Sequence, residues 1–269
     1  MAENDVLLKI DAVWQKLGEN QILEGVCLEV VDRVRPNCIT GQIVGILGPS
    51  GVGKTRLIRL IAGLDVPDRG VITGVLGQPL AASEVGVVFQ NYPLLRHHTV
   101  LGNLLVAGAA AGLPRAEAKK RSDELLERFG LSSRASFYPA QLSGGQRQRA
   151  AIAQQLVRRT RFVLMDEPFS GLDPAALDST IRLLVEVANM DELNTIVVVT
   201  HDIRSALIVC DTLFVLGRDR GDKGQIVTGA KVQKTYDLVA LGLAWQENLE
   251  HKPELAALER DIKLRFAGL

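Results

Sequence analysis

Aromatic residues and cysteines are scarce in this sequence. Aromatic residues account for 4% of the 269 residues, and there are three cysteines, Cys27, Cys38 and Cys210. Three is an odd number, and the spacing of these cysteines matches no metal-ligand pattern. They fit a reducing cytosol, in which each packs as a small apolar residue.

An excess of charge of one sign and a long apolar run are also absent. Lysine plus arginine total 31, and aspartate plus glutamate also total 31, which weighs against a protein whose main task is to bind nucleic acid. The most apolar region, residues 100–114, is shorter than a membrane span and is interrupted by Asn103. The first ten residues, MAENDVLLKI, contain two acids and no basic stretch of the kind that opens a signal peptide. The chain is therefore predicted to be cytosolic, or to sit on a membrane without entering it.

Short apolar runs alternate with helical patterns along much of the chain. The runs occupy residues 43–47, 84–90, 162–167 and 195–200, and the helical patterns occupy residues 55–64, 174–190 and 203–209. Because the runs are continuously apolar rather than alternating, they indicate strands that are buried on both faces of a parallel sheet. The sequence predicts a doubly wound α/β fold with ligands at the carboxyl ends of the strands.

The strand signal disappears between residues 91 and 155, where two or three helices are expected. Gly130 suits the residue after a helix end, and the helix before it has one narrow face, formed by Ala118, Ser122, Leu125, Leu126 and Phe129. We therefore predict a first domain at 1–230, with its core at 1–90 and 156–230 and a helical subdomain at 91–155. Residues 231–269 have a helical composition and are predicted to form a C-terminal helical extension.

The segment GPSGVGKT follows one apolar run and leads into a helical pattern, which is the context of a P-loop. Its glycines let backbone N–H groups turn towards a β-phosphate, and the helix dipole adds a favourable field. Lys54 is expected to reach the β- and γ-phosphates, and Thr55 to bind Mg²⁺. The predicted nucleotide contacts are Gly48, Pro49, Ser50, Gly51, Val52, Gly53, Lys54 and Thr55.

Polar residues stand at the ends of the other predicted strands. Asp166 ends FVLMD, where it can hold Mg²⁺ through its hydration shell, and Glu167 is placed to orient an attacking water and accept its proton. His201 follows TIVVVT and is expected to donate a hydrogen bond to the γ-phosphate. Gln90 ends VVFQ and is expected to contact Mg²⁺ or the water.

A second glycine-rich helix start occurs in LSGGQRQR. Ser143 is predicted to cap the helix, and the next two residues expose backbone N–H groups to an anion. The alternative is a plain capped helix with Arg147 and Arg149 in solvent. A site in the helical segment cannot easily fold over the P-loop of its own chain, so a second copy is expected to present it. The residues predicted to act across that interface are Ser143, Gly144, Gly145 and Gln146.

With GPSGVGKT, Gln90, LSGGQ, FVLMDE, SGLD and His201 in that order, the chain resembles ABC-type ATPase subunits over about residues 7–226. The resemblance implies that such subunits dimerise around two MgATP and dock onto a membrane permease through the helical subdomain. It assigns Lys54 and Thr55 to Walker A, Asp166 and Glu167 to Walker B, Gln90 to the Q-loop, Ser170–Asp173 to the D-loop, and His201 to the switch histidine. It also implies that Asp173, like Ser143–Gln146, contacts the ATP of the partner chain. It also implies a solute-binding protein, no nucleic-acid partner and a peripheral position on the cytoplasmic face of the membrane.

Two features depart from that family, and other functions stay open. Leu17 stands where the family places an aromatic residue on adenine, with Trp14 three residues earlier, which predicts loose selectivity for the base. The segment 31–41 is longer than the usual hairpin, and the tail is similar to that of nitrate/sulfonate/taurine-type importer ATPases. The alternatives are the motor of an exporter or lipid-transport system, a soluble ABC ATPase acting in nucleic-acid, ribosome or cofactor-assembly work, and a P-loop kinase.

Overall fold

The computed structural model describes residues 5–33, 41–190, 195–221, 225–244 and 249–268. Within these ranges, nine strands form one mixed sheet that packs with seven α-helices. The strands are β1 (Val6–Leu17), β2 (Asn20–Val31), β3 (Gln42–Leu47), β4 (Arg69–Thr73), β5 (Val85–Val88), β6 (Phe162–Asp166), β7 (Thr195–Thr200), β8 (Thr212–Arg220) and β9 (Ile226–Asp237). The helices are α1 (Lys54–Ile61), α2 (Val100–Ala110), α3 (Arg115–Arg128), α4 (Gly144–Leu156), α5 (Pro174–Ala188), α6 (Ile203–Val209) and α7 (Pro253–Gly268).

Five strands form the parallel half of the sheet, in the order β8-β3-β7-β6-β5. Every residue of β3 and β7 is buried, which explains why their sequences are continuously apolar. The α/β prediction is confirmed, and all four predicted strands are present. The strand at Val85–Val88 is shorter than the predicted run at 84–90, because the chain leaves the sheet before Gln90.

The two faces of this parallel half lie against separate hydrophobic cores. Ile43 and Leu47 of β3 face one core, which contains buried residues of α2 to α7. Val44 and Ile46 face the other, which contains α1, β1 and β2. Alternate residues of a strand point to opposite faces, so one short apolar run is covered on both sides.

The other strands form a mostly antiparallel half that the sequence analysis did not predict. β1 pairs with β2 and with β4, and β9 pairs with β8 in antiparallel fashion and with β2 in parallel. The predicted helical extension is wrong at its start, because residues 231–237 continue β9 inside the sheet. Pairing with β8 decides the conformation there, and local composition does not reveal such pairing. Of the long segment 31–41, residues 34–40 lie outside the described residues.

Three α-helices, α2 to α4, lie in the predicted helical region. The predicted face of α3 is buried, and Gly130 follows its end with φ +64°. Gly108 of α2 lies against Ala118 of α3 so closely that a Cβ on the glycine would be 2.8 Å from that of Ala118. The division into a core and a helical subdomain at 91–155 stays a prediction. None of the described helices combines the length and apolar character that crossing a membrane requires.

The helix α7 confirms the helical character of the end of the tail and packs onto α6. Its Leu255 and Ile262 are almost completely buried. At its surface, Glu259 lies 3.4 Å from the Arg204 guanidinium of α6, and Asp261 accepts a hydrogen bond of 2.7 Å from the Tyr236 hydroxyl of β9. The tail is therefore docked by both apolar and polar contacts.

The Tyr236–Asp261 contact predicts a decline in stability at high pH. Burial and the hydrogen bond to Asp261 raise the pKa of Tyr236 to about 12 from its ordinary 10.0. Between these values the unfolded chain has lost this proton and the folded chain keeps it, so stability falls as pH rises. We expect the free energy of unfolding to fall by about 2 kcal/mol from pH 10 to 12 through this group.

Denaturant unfolding at closely spaced pH values measures this decline. Tyr236→Phe should remove the contribution of Tyr236 to this decline and leave the contribution of the other titrating groups unchanged. Tyr138→Phe is the matched control, because Tyr138 is exposed and its replacement leaves the buried hydroxyl in place. Identical curves for wild type and Tyr236→Phe would contradict the assignment.

Candidate functional site

The carboxyl ends of four neighbouring parallel strands, β3, β7, β6 and β5, meet at one edge of the sheet. The predicted P-loop follows β3, Asp166 ends β6, and His201 follows β7. The structure brings Lys54, Glu167 and His201 into one connected group at this edge. This is the position at which open α/β sheets bind ligands.

The P-loop has a backbone that requires glycine. Gly51 and Gly53 have φ +77° and +121°, in the left-handed region that glycine tolerates. A Cβ on Gly48 would lie 2.7 Å from the Leu216 carbonyl oxygen, so β8 packs directly on the loop. Several backbone N–H groups at the start of α1 donate to no acceptor within the described residues. They belong to Gly51, Gly53, Lys54 and Thr55. These groups therefore remain available to an anion.

The Lys54 ammonium is buried, with 6% of the residue exposed. Its Nζ donates to the carbonyl oxygens of Gly48 at 2.9 Å and Pro49 at 3.2 Å, and it lies 3.4 Å from Glu167 Oε1. A buried charge requires such partners. Phosphate oxygens are acceptors that an ammonium binds in the same way.

Glu167 is held by the strand beside it. Its Oε2 accepts hydrogen bonds from Thr200 Oγ1 at 3.0 Å and His201 N–H at 3.3 Å, and lies 2.9 Å from His201 Nδ1. Its φ of +52° is unusual for a residue with a side chain, and its N–H donates to the Val199 carbonyl at 2.8 Å. Sequence reasoning missed Thr200, although its hydroxyl at the end of TIVVVT was a usable signal.

Thr55 and Asp166 form a pair of oxygen donors. Thr55 Oγ1 donates to Asp166 Oδ2 at 3.0 Å. Burial raises the pKa of Asp166, the hydrogen bond from Thr55 opposes this rise, and the charge of Glu167 adds to it. A hydroxyl and a carboxylate suit Mg²⁺, which keeps most of its own waters. The described residues contain no group of three or more His, Cys, Asp or Glu that could hold a metal, so Mg²⁺ there would depend on this pair, water and phosphate.

Gln90 lies two residues past the end of β5 and is exposed. Since β5 is the neighbour of β6, Gln90 leaves the sheet at the same edge as Asp166. No hydrogen bond among the described residues joins Gln90 to Asp166 or Thr55. The predicted contact of Gln90 with the metal or water stays a prediction.

The second glycine-rich helix start has the predicted cap. Ser143 Oγ accepts from the Gln146 N–H at 3.3 Å, and Gln146 Oε1 accepts from the Ser143 N–H at 3.0 Å, which forms a capping box at the start of α4. A Cβ on Gly144 or Gly145 would meet nothing within 4 Å. Asp173 caps α5 by accepting from the Ala176 N–H at 3.0 Å. In the described part of the chain, no hydrogen bond links this helix start or Asp173 to the P-loop.

Leu17, at the position of the missing aromatic residue, ends β1 with 53% of its surface exposed. Trp14 lies elsewhere, with its ring atoms 3.6–3.8 Å from the Cβ position of Gly25. Ile22 and Leu23 instead lie next to the P-loop, near the Cβ position of Gly53. The surface beside the P-loop is therefore aliphatic at these positions.

Comparisons with known proteins agree on one family. The sequence profile described as "ABC transporter" matches residues 31–170, about half of the chain. The chain is 40% identical over 215 residues to a methionine import ATP-binding protein of Geobacillus kaustophilus, over 77% of this chain and 61% of that protein. It is also 40% identical over 215 residues to a sulfate/thiosulfate import ATP-binding protein of Gloeobacter violaceus, over 78% and 60%. The chain thus spans about three fifths of the length of these two relatives.

Solved structures show the same fold. One is cbiO1 from Clostridium perfringens, described as part of the ABC transporter complex cbiONQ, with a TM-score of 0.74, 25% identity and 98% coverage of both chains. Another is the ATP-binding cassette MJ0796, described as a dimeric post-hydrolysis state bound to ADP and Pi. Its TM-score is 0.67, with 28% identity over 86% of this chain and 99% of that one.

Proposed function

Because the chain belongs to the ABC transporter family, we propose that it binds and hydrolyses ATP to power solute import through a separate membrane permease. The observation that carries this proposal is the contact group of Lys54, Glu167 and His201, next to the Thr55–Asp166 pair. A phosphate-binding loop, a carboxylate and an imidazole at one sheet edge suit attack of water on a γ-phosphate.

Each residue has a distinct task in this chemistry. The P-loop amides and the Lys54 ammonium bind the phosphates, and Lys54 stabilises the charge that develops on the γ-phosphate. Thr55 and Asp166 would hold Mg²⁺, which when bound neutralises charge on the β- and γ-phosphates. Glu167 orients the attacking water and accepts its proton.

The strand β7 positions Glu167 for that task. Thr200 Oγ1 and His201 N–H both donate to Oε2, and Oε1 lies on the side of Lys54. These two donors fix the orientation of the carboxylate from the side of β7. His201, whose side chain is half exposed, can contact Glu167 through Nδ1 and still present its other ring nitrogen to a phosphate.

A complete site is proposed to need a second ATPase chain. The Ser143 cap, Gly144 and Gly145 are exposed, and their open surroundings suit a phosphate presented by the P-loop of a partner. Asp173 is exposed as well and would contact ATP from the same side. The dimeric description of the similar MJ0796 structure supports this arrangement. Two chains facing head to tail would then enclose two MgATP.

The permease partner and the direction of transport are proposed from the relatives. Two of them are described as import ATP-binding proteins, for methionine and for sulfate/thiosulfate. In this chain the helical region after Gln90 would dock onto the permease, and Leu95, an apolar side chain with 44% exposure, lies at its start. The protein would therefore work at the cytoplasmic face of the membrane, with a solute-binding protein in the same system.

Co-purification tests the permease proposal. The tagged chain is extracted from native membranes in mild detergent, and its partners are identified by mass spectrometry. We expect a polytopic membrane protein in stoichiometric amount. A Leu95→Asp variant should lose this partner and keep ATP binding, because Leu95 lies outside the phosphate site. Recovery of soluble partners alone, with the chain absent from membranes, would favour a soluble ABC ATPase and contradict the proposal.

A further inference from the structure

One arginine that is distant in sequence from the P-loop forms a hydrogen bond with it. Arg218 of β8 donates from Nη2 to the Gly51 carbonyl oxygen at 3.1 Å. Gly51 is exposed, has φ +77°, and has no neighbouring atom within 4 Å of its Cβ position. Among the described hydrogen bonds, this is the one that ties the Gly51 carbonyl to the rest of the protein.

The position of Arg218 is set by three neighbouring strands. Ala230 of β9 pairs directly with Arg218 of β8 on one side and with Leu23 of β2 on the other. Directly paired residues share one face of a sheet. Leu23 lies at the P-loop, because a Cβ on Gly53 would be 2.9 Å from its Cδ2. The row Leu23–Ala230–Arg218 therefore lies along the P-loop, with Arg218 at one end.

Polar contacts with β9 fix β8 next to Arg218. Asp219 lies 2.6 Å from the Lys231 ammonium. The Gln233 amide donates to Asp219 Oδ1 at 2.9 Å and to the Gly217 carbonyl at 3.3 Å. Both neighbours of Arg218 are thus held by β9, so the guanidinium is presented from a rigid strand.

Arg218 also retains unused donor capacity. Its Nε is buried and has no hydrogen-bond partner. A guanidinium has five N–H donors and stays charged. Positive charge at this place favours an anion in the P-loop.

We infer that Arg218 is a positioning residue for nucleotide binding. It fixes the Gly51–Val52 peptide, so that the P-loop holds its amide groups ready for the phosphates. Without this contact, Gly51 would sample more conformations, and binding would have to order it at a cost in affinity. This inference rests on the proposed ATP binding and adds a residue that the motifs do not contain.

Arg218→Gln removes the charge and the strong donor, and Arg218→Lys keeps a cation that can still reach a carbonyl. The matched control is Arg69→Gln. Arg69 is exposed on the edge strand β4, which β1, β2 and β9 separate from β8. Affinity is measured by the fluorescence of a methylanthraniloyl-labelled ATP with Mg²⁺, KM and kcat by steady-state hydrolysis, and folding by thermal unfolding.

We expect Arg218→Gln to weaken nucleotide binding and to raise KM by about tenfold, the size of one charged hydrogen bond. Its kcat should stay within about twofold of wild type, Arg218→Lys should recover most of the affinity, and Arg69→Gln should behave as wild type. Wild-type affinity in Arg218→Gln would overturn the inference. An equal loss in both Arg218 variants together with a lowered melting temperature would do so too, because it would show a purely structural role. Absence of binding by the wild-type protein would instead refute the proposed function, and the inference with it.

Discussion

Replacement of Lys54 by alanine should lower the rate of ATP hydrolysis by about 100-fold to 1,000-fold, the usual effect of removing one main contact to transition-state charge. Lys54 is the buried cation of the P-loop, and its Nζ already lies 3.4 Å from Glu167 Oε1. The same ammonium would bridge the β- and γ-phosphates while negative charge develops between them. Alanine supplies neither charge nor reach, so both turnover and nucleotide affinity should fall.

Steady-state release of phosphate measures this loss, and thermal unfolding verifies that the variant is folded. Lys120→Ala is the control, because this lysine lies on the exposed surface of α3 and makes only a 3.9 Å ion pair with Glu124. It should hydrolyse ATP as the wild type does. A wild-type rate in Lys54→Ala would remove the residue from the site and contradict the assignment of the P-loop.

The chemical core of the site could be predicted from short stretches of sequence. Lys54 belongs to a local motif, and Asp166, Glu167 and His201 stand at or just after the ends of buried strands. Parallel neighbours in a sheet end at the same edge, so placing each residue at a strand end was enough to bring them together. The same reasoning predicted the Ser143 cap, because a capping box involves residues only three positions apart.

Non-local contacts could not be predicted in this way. Arg218 carries no motif, and it meets Gly51 only because β8 runs beside the P-loop. The predicted helical tail failed at residues 231–237 for the same reason, since pairing with β8 outweighs a mixed polar composition.

Replacement of Glu167 by glutamine should slow hydrolysis by at least about 100-fold, because the amide cannot accept a proton from the attacking water. Glutamine has nearly the same shape, and its oxygen can still accept from Thr200 Oγ1 and the His201 N–H, as Oε2 of the carboxylate does. The variant should therefore fold and bind MgATP. If two chains enclose two nucleotides, ATP that is bound and not cleaved should hold them together, and light scattering should show twice the 29.2 kDa mass of the chain.

The double variant Glu167→Gln/Ser143→Arg separates dimerisation from binding. Ser143 is exposed at the start of α4 and distant in sequence from the P-loop, so an arginine there should leave ATP binding to the single chain intact. The bulky cation should, however, block the surface that receives the phosphates of the partner chain, and this variant should stay monomeric with MgATP. A dimer in both variants would place the interface elsewhere and leave Ser143 as an ordinary helix cap. Monomers in both would mean that a different ATPase subunit or the permease must hold the two halves together, because glutamine at position 167 removes hydrolysis as the step that separates them.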